Sequence, residues 1–214
     1  MRWMDIYRRV RLKFVSRRNK VYLTDGVVEK HFVSEEAANF EAAQLNRLRE
    51  NGLDVPLVFE CQKAVLKMEY FTGEVLPDFI DRLESLDKYD PCEIEAAATG
   101  IIKWLREYYL AVNTDLTGEI RGDVNGRNFL IEGGLCRGID FEERIFGPKE
   151  QDIGRLIAYT LTYDPQGTKI KALLAEKLLS SAVSMLGVSE QEVLRHRELE
   201  FEAMAERRKK HHNT

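Results

Sequence analysis

Asp123 and Asn128 lie five residues apart in Ile120-Arg-Gly-Asp-Val-Asn-Gly-Arg-Asn-Phe-Leu-Ile131, and Asp140 follows twelve residues after Asn128. An amide oxygen and a carboxylate are hard ligands, suited to a Mg²⁺ ion that keeps several waters and grips phosphate oxygens. A carboxylate beside that pair, at Asp123, can take the proton of an attacking hydroxyl. Phosphoryl transfer asks for little beyond positioning and charge neutralisation. In isolation Asp123 reads as a turn residue; the company of Asn128 and Asp140 gives it the catalytic reading. Two short apolar runs, 129–131 and 138–140, flank Glu132-Gly133-Gly134, a hairpin signal that is expected to bring Asn128 and Asp140 side by side. Glu142 is either a third metal contact or an exposed carboxylate.

The elements that must position these residues follow from periodicity and turn chemistry. Alternating, β-prone stretches at 10–15, 21–24 and 27–32 predict three strands, the last two joined by a type I′ turn at Asp25-Gly26. Ser34 is an N-cap, followed by Glu35 and Glu36, for a helix that runs to about Glu50 and stops at Asn51-Gly52. Strands are expected at 57–60 and 63–70, giving the order βββαββ. After a connector at 71–74 the chain reads as helical, with helices at 77–86, 94–112, 153–162, 167–186 and 189–208 around the hairpin. The fold class is α+β: a small antiparallel sheet with one helix over residues 1–70, of which 1–9 are a basic lead-in, and a mainly helical part over 71–214 with a basic tail. Such a junction is expected to form a ligand cleft.

Composition bounds the function. The chain has 214 residues, 44% hydrophobic and 32% charged, enough apolar content for a core and too much for wholesale disorder. No stretch approaches the roughly 18 apolar residues of a membrane span. The N-terminus carries no signal-peptide pattern, and the expected location is cytoplasmic. Cys61, Cys92 and Cys136 make no zinc spacing and no disulfide framework, so they read as reduced thiols. The first twenty residues hold eight basic and one acidic residue, and residues 74–95 eight acidic and two basic. A basic arm can meet RNA or an anionic membrane, and an acidic rim favours a cationic acceptor; both also read as solvated faces. His196 and Trp104 take structural readings, His31 is assigned no role, and His211 and His212 read as part of a disordered tail and not as a metal site.

The pattern Gly122-Asp123-x-x-x-x-Asn128 followed by Ile139-Asp140-Phe141 resembles the catalytic loop and metal aspartate of the protein-kinase-like superfamily, most nearly its aminoglycoside and choline phosphotransferase branch. The resemblance runs from about Val10 to Leu161 and implies a bilobal fold with a helical, hairpin-bearing catalytic lobe. It implies that Mg²⁺ and ATP bind between the lobes and that the γ-phosphoryl group passes to a hydroxyl-bearing acceptor, a small molecule first. Lys30 then holds the phosphates, with Glu41 or Glu36 as its ion-pair partner. Lys67-Met68-Glu69-Tyr70-Phe71 resembles the hinge, whose backbone at Glu69 and Phe71 would bind adenine, with Met68 behind it. Asp123 is the base, Asn128 and Asp140 the metal ligands, and Asp152 the brace of the catalytic loop. Three departures stand out. Ser16-Arg17-Arg18-Asn19-Lys20 replaces the glycine-rich loop, leaving Ser16, Asn19 and backbone N–H groups to cap phosphates. Arg121 stands where the branch carries histidine, which implies a changed brace. Only eleven residues separate Asp140 from Asp152, too few for a long activation segment. Rival readings are an atypical protein kinase, which the size and basic tail suggest, and a non-catalytic nucleotide-binding regulatory module.

Overall fold

The computed structural model describes residues 11–14, 16, 18–112 and 118–212. The chain divides into two compact units, Met1–Phe71 and Thr72–Thr214. The basic lead-in at 1–9 lies outside the described residues.

In the first unit, strands β1 (Arg11–Phe14), β2 (Lys20–Thr24), β3 (Val27–His31), β4 (Val58–Gln62) and β5 (Val65–Glu69) form an antiparallel sheet in the order β1-β2-β3-β5-β4. The β2–β3 turn has positive φ at both Asp25 (51°) and Gly26 (80°), as a type I′ hairpin requires. The β4–β5 turn does the same at Lys63 (47°) and Ala64 (60°), where the sequence predicts strand. Helix α1 (Glu35–Glu50) packs on β4 and β5. Its N-cap Ser34 accepts from Ala37 N–H at 3.2 Å, and its buried stripe includes Ala38, Glu41, Ala42, Leu45 and Leu48, a helical spacing with one carboxylate in it.

The second unit opens with β6 (Glu74–Val75), α2 (Leu76–Glu84) and α3 (Pro91–Ala111). It continues with β7 (Glu119–Ile120), a 3-10 turn at Gly126–Asn128, β8 (Phe129–Glu132), β9 (Leu135–Gly138) and β10 (Ile145–Phe146). Helices α4 (Lys149–Thr162), α5 (Lys169–Leu186) and α6 (Glu190–His212) complete it. The strands form a three-stranded sheet β6-β8-β9 and a pair β7–β10. The core is the apolar face of α3, with Ile94, Ala98, Ile101, Ile102 and Leu105 fully buried, packed against α5 and β9. Two glycines permit the close fit to the hairpin. A Cβ on Gly100 would lie 2.3 Å from Gly134 O, and one on Gly138 would lie 2.3 Å from the Trp104 ring. Among the described residues no helix is long and apolar enough to cross a membrane.

The hairpin differs from expectation by a shift. Gly133 (φ 56°) and Gly134 (φ 82°) make a two-residue turn, so the return strand is Leu135–Gly138 and pairs Phe129 with Gly138. Asn128 therefore faces Ile139, whose N–H donates to Asn128 O at 3.0 Å, and Asp140 follows outside the strand.

Candidate catalytic site

In the first unit the site begins with the period of β3. Val28 and Lys30 face the interior, opposite Met68 and Leu66 of β5, while Glu29 and His31 take the other face. Lys30 Nζ donates to Glu41 Oε2 at 2.7 Å, and the two side chains are 5% and 0% exposed. Glu36 lies five residues before Glu41, about 140° around the helix, in the first turn. There the helix N-terminus and Ser34 lower its pKa. Two pieces of the expected nucleotide site are engaged with their own surroundings. Ser16 Oγ accepts from Asn19 N–H at 3.3 Å, which closes the loop before β2 and leaves the hydroxyl proton to donate. At the end of β5, Glu69 N–H donates to Leu57 O at 2.9 Å and the Glu69 carboxylate accepts from Leu57 N–H at 3.2 Å. Met68 and Phe71 are buried, and Asn19 is 8% exposed.

In the second unit the catalytic-loop candidate is suspended from helix α4. Asp152, in its first turn, is fully buried. Its carboxylate accepts from Arg121 N–H at 2.7 Å, Gly122 N–H at 2.9 Å and Tyr109 O–H at 2.9 Å. Burial pushes its pKa up, against the pull of these three donors. At the other end of the loop, Tyr163, just past α4, accepts from Gly126 N–H at 2.8 Å through its phenol oxygen. Burial raises that phenol to about 12, so it is a neutral hydroxyl. Between these anchors sits Asp123, exposed, its Oδ1 accepting from Asn125 N–H at 3.2 Å. Asn128 is buried, and its Nδ2 donates to Asp123 O at 3.3 Å. That bond fixes the amide and leaves Oδ1 as the atom it can offer a cation. Asp140 adopts a left-handed backbone (φ 67°), and a carboxylate oxygen of Asp140 lies within 4.8 Å of one of Glu142. An amide oxygen and two carboxylates are a hard donor set, so these residues fit Mg²⁺.

Arg121 is 1% exposed. Its guanidinium donates to Ile139 O and Asp140 O and lies 4.6 Å from the centre of the Phe141 ring. The segment beyond Asp140 is short and pinned. β10 pairs with β7, Arg144 bridges to buried Glu119 at 2.6 Å, and Gly147 N–H donates to Gly118 O at 2.6 Å.

Sequence reasoning missed Tyr163 and Tyr109, which no motif marks; a lone tyrosine after a helix carries no signal until the helix is placed. The acidic stretch is also less free than its count implies. Arg82 bridges Glu74 at 2.9 Å and Glu93 at 3.2 Å, and buried Lys171 bridges Glu84 at 2.9 Å. Three of its eight carboxylates are thus neutralised locally.

A family model described as the RIO domain matches residues 2–145. Among solved structures, the chain resembles the ternary complex of streptomycin, ATP and the aminoglycoside phosphotransferase APH(2″)-IIa, with a TM-score of 0.54. The match covers 90% of this chain and 91% of that one at 12% identity, a likeness of fold. No curated protein matches the chain.

Proposed function

The chain belongs to the RIO domain family, of atypical protein-kinase type, and from that membership we propose that it transfers the γ-phosphoryl group of ATP to a hydroxyl in a Mg²⁺-dependent reaction. The observation that carries this reading is the arrangement of the loop in the second unit. Exposed Asp123 sits beside the fixed amide of Asn128, and the hairpin bonds Asn128 directly to the residue before Asp140. Asp123 accepts the acceptor's hydroxyl proton as the new P–O bond forms to that oxygen; the bond to the bridging β,γ-oxygen breaks and ADP leaves with the electron pair. Asn128 Oδ1 and Asp140, with Glu142 nearby, would hold the metal, which when bound neutralises phosphate oxygens. Lys30, oriented by Glu41, pairs with the nucleotide phosphates. Ser16 and Asn19 turn the loop that covers those phosphates, and the backbone at Glu69 and Phe71 meets the adenine. Asp152 holds Asp123 in place through the backbone and touches no substrate.

The acceptor is a small molecule. The pinned segment between Asp140 and Asp152 leaves no length of chain on which a peptide could dock in extended form. A serine or threonine hydroxyl of a protein is the second reading, which the family itself favours.

A thermal shift with ATP and GTP, each with Mg²⁺ or EDTA, tests binding first. Ligand at 100 times its dissociation constant adds about 2.7 kcal/mol to stability. Transfer from labelled ATP to a panel of hydroxyl compounds and to a mixed Ser/Thr peptide library then separates the acceptors. Asp123→Asn is expected to abolish transfer and keep the Mg-ATP shift. A variant that stays active removes Asp123 from its role. A wild type that shows the shift and transfers to nothing, water included, points to the non-catalytic module.

A further inference from the structure

Where α6 packs on α4, the second unit holds a cavity of about 420 Å³, within the size range of ligand sites. A stripe of α6 forms one wall: Phe201, Met204, Ala205 and Arg208, spaced i, i+3, i+4 and i+7 and so on one helix face. Leu161 and Thr162 of α4 form the other, and the loop at 166–167 completes it. Thr162 is satisfied, its hydroxyl donating to Ala158 O at 2.8 Å. Arg208 differs: among the described residues its guanidinium has no partner. No carboxylate lines the cavity, and the acidic stretch at 74–95, which would favour a cation, contributes nothing to it.

The cavity adjoins the catalytic-loop candidate. Tyr163, the residue after Thr162, accepts from Gly126 N–H at 2.8 Å and donates to Asn125 Oδ1 at 3.4 Å; Asn125 N–H in turn donates to Asp123 at 3.2 Å. One turn earlier on α4, burial raises the Tyr159 phenol. Glu200 and Asp123 add to that rise, while Arg207 and Arg155 oppose it, so all four charges reach this one ring. Arg155 and Arg207 share the buried carboxylate of Glu200, at 3.3 and 2.5 Å, which leaves one positive charge in excess. Arg127, in the loop itself, is exposed, and its guanidinium has no partner among the described residues. Asp164, beside Tyr163, is exposed and outside the lining.

We infer that this cavity seats the acceptor and that the acceptor is an anion with an apolar body: its carboxylate or phosphate group pairs with Arg208, its carbon skeleton lies on Leu161, Phe201 and Met204, and its hydroxyl turns toward Asp123. The inference deepens the phosphotransfer reading and rests on it. A guanidinium meets a carboxylate or phosphate through two parallel N–H donors, which fixes orientation as well as charge. An amine-bearing acceptor would meet an unpaired like charge instead. The apolar walls discriminate weakly among carbon skeletons, so the charge carries the selection. The acceptor oxygen gains the γ-phosphoryl group, its proton passes to Asp123, and ADP leaves.

The test uses four compounds of one shape: para-(hydroxymethyl)benzoate, para-(hydroxymethyl)phenyl phosphate, para-(hydroxymethyl)benzamide and para-(hydroxymethyl)benzylamine. In transfer from labelled ATP, kcat/KM is expected to favour both anions over the amide and the amine, and the ratio between the two anions tells carboxylate from phosphate. Arg208→Ala is expected to lower kcat/KM for the anions about 10-fold, through KM. Its Tm and Mg-ATP thermal shift are expected to stay at wild-type values, since the side chain is exposed and bears no internal bond. Arg208→Glu is expected to turn the preference to the amine. Ala205→Trp, at an exposed position on the same stripe, fills the cavity and is expected to raise KM for every acceptor. The amide or the amine ahead of both anions in the wild type overturns the inference. Anion KM within twofold of wild type in Arg208→Ala overturns the charge pairing, and the same result in Ala205→Trp overturns the seat. A wild type that transfers to nothing refutes the phosphotransfer reading, and binding then decides on the cavity. The two anions are titrated into ¹⁵N-labelled protein while the backbone amides of Thr162, Gln166, Ala205 and Arg208 are followed. Shifts there that Arg208→Ala abolishes support the anion site; their absence in the wild type overturns it.

Discussion

Asp152→Ala removes the acceptor from which the catalytic-loop candidate hangs, and its cost can be worked from the structure. Arg121 N–H and Gly122 N–H are both buried and both donate to this carboxylate. Left without an acceptor they cost about 1–3 kcal/mol each, and the Tyr109 hydroxyl adds a third lost bond. Against this stands the relief of a desolvated charge, since burial holds the Asp152 pKa above its ordinary 3.8. The net expectation is a loss of about 3 kcal/mol, or a fall in Tm of about 6–12 °C for a chain of this size. The pH dependence has a defined sign. With the folded pKa above the unfolded one, the folded state binds more protons in the interval between them. Wild-type stability therefore falls as pH rises from near 3.8 to the raised value, and is level above it. The alanine variant lacks this fall, so the cost of the substitution is largest at the acid end and shrinks toward neutrality. Urea denaturation followed by circular dichroism, from about pH 4 to about pH 8, measures it. Asp152→Asn, which keeps one acceptor oxygen, is expected to fall between wild type and alanine. A cost under about 1 kcal/mol, or one that grows with pH, refutes the reasoning.

Other perturbations follow from the same geometry. Lys30→Met takes the ammonium away from a fully buried carboxylate 2.7 Å distant and is expected to cost about 3–5 kcal/mol; Lys30→Met with Glu41→Leu recovers most of that. Both lose the Mg-ATP thermal shift, which separates stability from binding. Gly138→Ala places a methyl 2.3 Å from the Trp104 ring; denaturation followed by tryptophan fluorescence is expected to show a loss of about 1–3 kcal/mol. Lys171 is fully buried, bonded to Glu84 at 2.9 Å and to Pro165 O at 2.7 Å. Its change to Met is expected to cost about 3–5 kcal/mol in urea denaturation.

The parts of this molecule that could be read in advance are those governed by local rules. The α+β class, the order βββαββ and the capped helix α1 follow from alternation, Asp25-Gly26 and Ser34, each a short-range signal. Lys30 and Glu41 are legible only through the family resemblance, and in the fold the periods of β3 and α1 put both on buried faces. The same periods decide against Glu36, though the sequence leaves both glutamates open. The misses have a common cause. Lys63-Ala64 carries no turn chemistry, yet the sheet forces two positive φ values on it, because β4 and β5 must pair in register. The hairpin shift arose because apolar runs mark buried residues, whereas the turn at Gly133-Gly134 sets the register. Ile139 and Phe141 are apolar without being strand. The acidic stretch looked like a charged rim because its cations, Arg82 within it and Lys171 far along the chain, come together only in the fold.

Helix α4 explains why the loop holds its shape. It grips the loop at Gly122 through Asp152 and at Gly126 through Tyr163. The two anchors are eleven residues apart on or just past the helix, about 16 Å at 1.5 Å per residue. Three residues, 123–125, lie between the gripped ones. They are folded into turns, with Val124 N–H donating to Gly122 O at 3.2 Å and Asn125 N–H to Asp123 Oδ1 at 3.2 Å, and Asp123 lies next to one anchor. Slack at the Tyr163 end should reach Asp123 without touching the nucleotide groups of the first unit. Tyr163→Phe deletes the oxygen that meets buried Gly126 N–H, at a cost of about 1–3 kcal/mol. Turnover is expected to fall with the ATP-dependent shift unchanged, because the loop's end is freed while Lys30 and Glu41 stay paired. Gly126→Ala puts a methyl 2.6 Å from the same oxygen and is expected to reproduce the loss from the other side. If Tyr163→Phe leaves Tm and turnover at wild-type values, the loop is held by its own turn, Asn125 to Asn128, and α4 supports it at Asp152 alone.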